Sequence, residues 1–179
     1  MSELLDRESI VELLTQLGRR LDDKGMSADL YVVGGTAMLL AYQRSRLTRD
    51  IDAVTVDQEV VAAEARSMAE GRRGLPADWL NSRVGPMLPQ VFDEGQMEAL
   101  AVPGLTVNVA SPEHLLAMKV RAARGDRDVE DILLLCRHLG IARIEEVFAI
   151  ADQVWGPGMI RDDAQFLVRE SLAAAGYVG

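Results

Sequence analysis

The sequence predicts an α+β fold, in which a small mixed sheet is packed with helices and is followed by a C-terminal helical bundle. Two observations support this prediction. Short β-favouring runs alternate with segments of helical periodicity over residues 1–110. Helical periodicity then continues from residue 111 to the end. The chain is therefore interpreted as a core with an N-terminal helix over residues 1–110 and a helical region over residues 111–179, together expected to form one compact unit.

The first half of the core alternates regularly between helix and strand. Apolar residues at helical spacing predict a helix over residues 5–24, closed by Gly25. The run 30–33 contains four β-favouring residues and enters a pair of glycines, which is typical of a buried strand that ends in a tight turn. A helix is then expected over 36–44, and alternating polar and apolar residues predict a strand over 48–56.

The second half of the core is less regular. A helix is predicted over residues 58–70, loop and short helix over 71–95, and two strands over 98–110 around a Pro-Gly turn. Ser111 then begins a helix, because serine caps the free N–H groups and the following proline suits the first turn. The four helices of the C-terminal region are expected over residues 111–123, 128–138, 143–154 and 161–175.

Bulk composition indicates a soluble cytoplasmic protein. The acidic N-terminus does not resemble a signal peptide, and no apolar run approaches the roughly 18 residues that a membrane span needs. The single cysteine, Cys136, lies in an apolar helical run and is expected to be a buried thiol. A formal net charge of −9 disfavours nucleic acid at long range and suits a cationic small molecule or a basic protein. Residues 31–125 are nearly balanced in charge, so the net charge does not exclude RNA as a partner.

The chemical signal is a glycine turn followed by two spaced carboxylates. Gly34, Gly35 and Thr36 stand where a strand gives way to a helix, so the backbone can approach a phosphate closely and helix N–H groups can bind it. Asp50 and Asp52 are spaced to point the same way from a strand, where they can bind a hard divalent cation. The alternative is a plain glycine turn beside a solvent-facing strand.

This combination resembles the polymerase-beta-like nucleotidyltransferase superfamily, whose pattern is GG[TS], a helix, then D-h-[DE]. The stretches VVGGTAMLLAYQRSRLTRDIDAV, PADWLNSRV and VASPEHLLAMKVRAARGDRDVEDILLL also look like bacterial nucleotidyltransferase-like proteins. Those proteins are similar to the AbiEii and MenT type of toxin from toxin–antitoxin pairs. The resemblance covers roughly residues 30–140.

The resemblance implies an enzyme that moves NMP from an NTP to an acceptor hydroxyl with Mg²⁺ or Mn²⁺. Asp50 and Asp52 would be the metal ligands and catalytic carboxylates, and Lys119 would contact the triphosphate. Either Asp128 or Asp131 would be the acid that follows this lysine, with Asp128 preferred because it stands nearer the turn. The nucleotide-binding set would comprise Gly34, Gly35, Thr36, Arg49 and Lys119.

One departure from the superfamily pattern concerns the third carboxylate, which in many members acts as a base on the attacking hydroxyl. The corresponding strand is taken to be 105–109, which offers Asn108 instead. Three consequences stay open: a later acid such as Asp128 serves, base catalysis is weak, or the protein is degenerate.

Several other residues allow two interpretations. Trp79 could stack on a base or anchor the core, and Asn81 could bind a base or cap a turn. Lys119 could extend to solvent from an apolar helix. His114 and His138 are assigned to structure because they lack metal-ligand spacing. Arginines that could contact phosphate, or simply be solvated, are Arg44, Arg46, Arg49, Arg121 and Arg124.

The resemblance implies the 3′ end of tRNA as the acceptor, and the physical motivation is this set of five arginines, which are close in sequence to the site residues. A cognate antitoxin is expected as a further partner, and no membrane association is expected. Three alternatives remain. The enzyme could modify an antibiotic of the aminoglycoside kind, it could modify a protein, or the chain could be a non-catalytic module that binds a nucleotide or a partner.

Overall fold

The computed structural model describes residues 4–42 and 46–179, which form two compact units. The first unit comprises the described residues through Met87 together with Gln96–Ala110. The second comprises Leu88–Gly95 and Ser111–Gly179. The short segment 88–95, which the sequence analysis included in the core, thus groups with the helical region.

The first unit alternates helices and strands as the sequence predicts, with one addition. Its elements are α1 (Arg7–Asp22), β1 (Ala28–Val32), α2 (Gly34–Ala41), β2 (Ile51–Val54), α3 (Gln58–Gly71), β3 (Leu80–Asn81), a 3₁₀ turn (Gly85–Met87), β4 (Met97–Val102) and β5 (Leu105–Val109). The addition is β3, which lies in the stretch interpreted as loop and short helix. Element ends otherwise differ from expectation by a few residues.

The strands form one mixed sheet in the order β3-β2-β1-β5-β4. The central strand β1 runs parallel to β5 and antiparallel to β2. The short β3 pairs in parallel with β2, and β4 pairs antiparallel with β5. The predicted small mixed sheet packed with helices is therefore confirmed, and β2 lies between β1 and β3.

The two faces of the sheet differ in burial. Residues with side chains on one face are buried: Ala28, Leu30, Val32, Ile51, Ala53, Leu105, Val107 and Val109. Helix α1 packs on this side, where a Cβ added to Gly18 would lie only 3.0 Å from the Cβ of Leu105. Residues that alternate with the buried ones, such as Asp52 and Asn108, are only partly buried. The second face therefore carries the polar side chains.

The second unit contains four helices among its described residues: α4 (Pro112–Ala122), α5 (Asp126–Leu139), α6 (Ile144–Trp155) and α7 (Asp162–Ala174). Helix α4 contacts each of the other three. The predicted helix start at Ser111 is confirmed, because its side chain accepts a hydrogen bond from the His114 N–H. Cys136 is fully buried on α5, and this burial raises the pKa of its thiol to about 11.

No helix within the described ranges is both long enough and apolar enough to cross a membrane.

Candidate active site

The carboxylate of Asp52 lies beside the glycine turn that begins α2. The backbone N–H of Val33 donates to the Asp52 carbonyl at 3.0 Å, which holds the end of β1 against β2. Gly34 has φ +65°, and a Cβ placed on it would lie 3.5 Å from the Asp52 Oδ2. The glycine turn and the Asp52 carboxylate therefore lie next to each other within the first unit, as the sequence predicts.

Asp50 is held at its carbonyl by two threonines. Thr36 Oγ1 donates to the Asp50 carbonyl at 3.0 Å, and Thr48 Oγ1 donates to the same oxygen at 3.2 Å. Thr36 is buried, and its hydroxyl is occupied by this hydrogen bond to the Asp50 carbonyl. A role of Thr36 in phosphate binding would thus depend on its backbone N–H, since α2 begins two residues earlier.

Asn81 on β3 lies beside the two carboxylates and contacts one of them. In the parallel register, Asp52 lies opposite Asn81, so their side chains share a face. The Asn81 Nδ2 donates to the Asp50 Oδ2 at 3.3 Å. Asp50 directly precedes β2, and this hydrogen bond brings its carboxylate next to the face of the sheet on which Asp52 and Asn81 lie.

The donor set at this site consists of hard oxygen atoms. Across the residues that the structure describes, no group of three or more His, Cys, Asp or Glu side chains could hold a metal ion. Asp50 and Asp52 form a pair, and Mg²⁺ in proteins is commonly bound by one or two carboxylates plus substrate phosphates and water. The pair therefore fits a cation that arrives with a nucleotide. Arg49, which precedes the pair, is exposed.

Asn108 lies away from the strand of the carboxylates. It belongs to β5, and its register partners are Tyr31 on β1 and Glu98 on β4. Strand β1 therefore separates it from β2. The strand next to β2 on the other side is β3, which places Asn81, and not Asn108, beside the two carboxylates.

Lys119 lies in the second unit, bound to both acids that the sequence analysis considered. Its Nζ is 3.0 Å from the Asp128 Oδ1 and 2.8 Å from the Asp131 Oδ2. Burial by itself would raise the pKa of Asp128, but the Arg124 N–H and Lys119 outweigh it, so this pKa is lowered. The three side chains form a buried cluster between α4 and α5, and their roles toward a nucleotide stay predictions.

Trp79 anchors the core and does not face a ligand. Its side chain is fully buried, and its Nε1–H donates to the Ala65 carbonyl of α3 at 2.8 Å. The base-stacking interpretation is therefore wrong and the core interpretation is correct. A second hydrogen bond, which the Ile51 N–H donates to the Trp79 carbonyl at 2.6 Å, holds the chain directly before β3.

The remaining candidates have varied surroundings. His114 is buried beside Asp93, with its Nδ1 3.3 Å from the Asp93 Oδ1, in agreement with a structural role. Arg121 stacks over the Trp155 ring, 4.1 Å from its centroid. Arg44 lies outside the described residues. The position of Asn81 beside the carboxylate pair was not predicted from the sequence. The available signal was only its place in the stretch that resembles the nucleotidyltransferase-like proteins.

A mixed sheet that presents paired carboxylates beside a glycine turn is the arrangement expected of a nucleotidyltransferase. The chain belongs to a family described as nucleotidyltransferase of unknown function (DUF6036), whose model matches residues 8–154. Among solved structures, it is similar to an antigenic nucleotidyltransferase-like protein from Paracoccidioides brasiliensis, at 17% identity and a TM-score of 0.48, over 93% of this chain and 95% of that chain. Curated proteins give no match.

Proposed function

We propose that this nucleotidyltransferase transfers NMP from an NTP to an acceptor hydroxyl, with Mg²⁺ or Mn²⁺ held by Asp50 and Asp52. The single observation that supports the proposal is the shared location of two carboxylates and a glycine turn at the start of a helix. Asn81 lies opposite Asp52 and donates to the Asp50 carboxylate, and the Asp52 Oδ2 is 3.5 Å from the place where a Gly34 side chain would begin.

The turn supplies binding groups for the triphosphate. The first N–H groups of α2 lack partners within the helix, and the helix dipole makes this end positive. Gly34 has no side chain to keep a phosphate at a distance. A bound divalent cation would offset the phosphate charge and stabilise the attacking and leaving oxygens. The turn would therefore bind the phosphates, and the two carboxylates would bind the cation.

The proposed reaction is a substitution at the α-phosphorus. The acceptor oxygen forms a bond to this phosphorus as the bond to the β-phosphate oxygen breaks, and pyrophosphate leaves. The acceptor proton passes to a base or to solvent. Since Asn81 and Asn108 carry neutral amides, neither of them is assigned as that base.

The test compares the wild type with Asp50→Asn and Asp52→Asn in the presence of Mg²⁺, each labelled NTP and total tRNA. We expect label in the acceptor with the wild type, and at least about 100-fold less with each variant, because a metal ligand is lost. Asp29→Asn is the matched control, since Asp29 is an exposed acid on β1. Equal labelling by the wild type and both site variants would contradict the proposal.

For the acceptor, we propose the 3′ end of tRNA. Support comes from the resemblance to the AbiEii and MenT type of toxin and from the exposed guanidinium of Arg49 next to Asp50. A chain of net charge −9 would need local arginines to bind RNA. Transfer to tRNA should weaken as salt rises, and Arg49→Glu should weaken it further, whereas Arg161→Glu in the second unit is the charge-matched control.

Transfer to another acceptor would replace this assignment. Label that appears in an aminoglycoside or in a protein, with none in tRNA for any of the four NTPs, identifies one of the alternative enzymes. If tRNA is the acceptor, expression should slow bacterial growth, Asp50→Ala should relieve the effect, and a cognate antitoxin should neutralise it. Growth arrest that persists with Asp50→Ala would exclude catalysis as its cause.

A further inference from the structure

The short strand β3 brings an uncharged side chain next to the two carboxylates. Strand β3 is two residues long, and its second residue, Asn81, lies opposite Asp52 in the parallel register. The Asn81 residue is partly buried. Positions on a strand adjacent to β2 are closer to Asp50 and Asp52 than any position on β5, because β1 intervenes there.

The orientation of the Asn81 amide follows from its own partners. The backbone N–H of Arg83 donates to the Asn81 Oδ1 at 3.1 Å. The amide nitrogen therefore faces the Asp50 Oδ2, 3.3 Å away. The Arg83 guanidinium also forms an exposed ion pair with Asp78. The turn after β3 thus directs a hydrogen-bond donor at the carboxylate.

We propose that Asn81 is the positioning residue for Asp50, and that it occupies the site from which a third carboxylate would reach the same cation. This inference rests on the proposed function. The Asn81 amide uses one oxygen of Asp50 and leaves the other for the cation. Because the amide is neutral, the site carries two negative charges and binds the cation more weakly than three carboxylates would.

Direct Mn²⁺ binding tests the inference without relying on catalysis. Free Mn²⁺ is measured by its EPR signal during titration of the wild type, Asn81→Ala and Asn81→Asp. Asn81→Ala should weaken Mn²⁺ binding about 10-fold, the lower end of what loss of a ligand-orienting partner costs. Asn81→Asp should bind Mn²⁺ more tightly than the wild type. Ser82→Ala, the next residue along the chain, is the matched control and should leave the affinity unchanged.

Steady-state kinetics give a second readout. Because Asn81 acts through Asp50, Asn81→Ala should lower kcat about 10-fold while the KM for the NTP changes less than about twofold. Unfolding curves establish that each variant is folded. Asn81→Asp keeps the side-chain shape and the oxygen that accepts from Arg83, so it remains informative if Asn81→Ala is unstable.

The outcomes separate this inference from the proposed function. Mn²⁺ affinity that is unchanged in both Asn81 variants, or weakened in Asn81→Asp, overturns the role of Asn81. If Asp50→Asn and Asp52→Asn nevertheless abolish Mn²⁺ binding, the metal site itself stands. If those two variants bind Mn²⁺ as the wild type does, the proposed metal site is wrong.

Discussion

At the scale of single residues, Gly34 has a backbone conformation that side chains disfavour. Its φ of +65° lies in the left-handed region, where an L-residue costs about 1–2 kcal/mol. An added Cβ would lie 3.5 Å from the Asp52 Oδ2, which is an ordinary contact. The constraint on this position is therefore conformational, and relief of the strain would shift the turn that is proposed to bind phosphate.

Gly34→Ala should lower the free energy of unfolding by about 1–2 kcal/mol, because alanine must adopt the left-handed conformation. It should also weaken NTP binding, since the turn would relax away from its native backbone. Urea unfolding measures the first effect, and calorimetry with NTP and Mg²⁺ measures the second.

The matched control for Gly34→Ala is Gly71→Ala in α3. Gly71 has an ordinary φ, and an added Cβ would meet no atom within 4 Å. Alanine there should leave the free energy of unfolding unchanged or raise it by up to about 1 kcal/mol. The same loss of stability in both variants would contradict the conformational explanation.

At the scale of elements, a buried ion cluster joins α4 to α5. The two helices are connected by a tight turn in which Ala123 has φ 29° and Gly125 has φ 118°. Asp128 spans this turn, since its Oδ2 accepts from the Arg124 N–H at 2.9 Å and its Oδ1 from the Lys119 ammonium at 3.0 Å. The lowered pKa of Asp128 means that its charged form stabilises the folded state.

Asp128→Asn should lower the free energy of unfolding by about 2 kcal/mol at pH 7, the usual contribution of a hydrogen bond to a charged group. The folded-state pKa is below the unfolded value of about 4, so the stabilisation is complete above pH 4 and is lost as the pH falls further. Urea unfolding at pH 7, 5 and 3 should therefore show the two proteins converging in acid.

Asp163→Asn serves as the exposed counterpart. Asp163 forms an ion pair with Arg161 at 3.1 Å, but its side chain is 74% exposed. Its replacement should change the unfolding free energy by less than about 1 kcal/mol. A loss in Asp128→Asn that stays constant from pH 7 to pH 3 would show that packing, not charge, is responsible.

At the scale of the whole molecule, the single cysteine reports on global opening. Cys136 is fully buried on α5, and its pKa of about 11 leaves only about one thiol in a thousand ionised at pH 8. Burial and a raised pKa both oppose reaction with a disulfide reagent. The folded protein must therefore open before it reacts.

Labelling of Cys136 by a disulfide reagent at pH 8 should be slow in the folded protein and fast in the urea-unfolded protein. The rate in moderate urea should follow the population of the unfolded state. Absorbance of the released thiol measures both rates. Labelling of the folded protein at the rate of the unfolded chain would contradict the buried position of Cys136.

The sequence by itself determined what depends on near neighbours in the chain. The order of helices and strands followed from periodicity, and the cap of α4 followed from Ser111. The spacing of Asp50 and Asp52 predicted that they point the same way from one strand, because successive residues of a strand point to opposite sides. In the structure Asp50 directly precedes β2, and only Asp52 belongs to the strand. Each of these signals extends over a few residues, so no knowledge of the sheet order was needed.

The tertiary structure decided which side chains surround the carboxylates. Strand β3 is too short to show periodicity, and Asn81 reaches Asp50, 31 residues earlier in the chain, only because β3 pairs with β2. Sheet order likewise removed Asn108 from the site by placing β1 between β5 and β2. Pairing between distant strands is set by packing of the whole sheet, a non-local property that residue spacing does not contain.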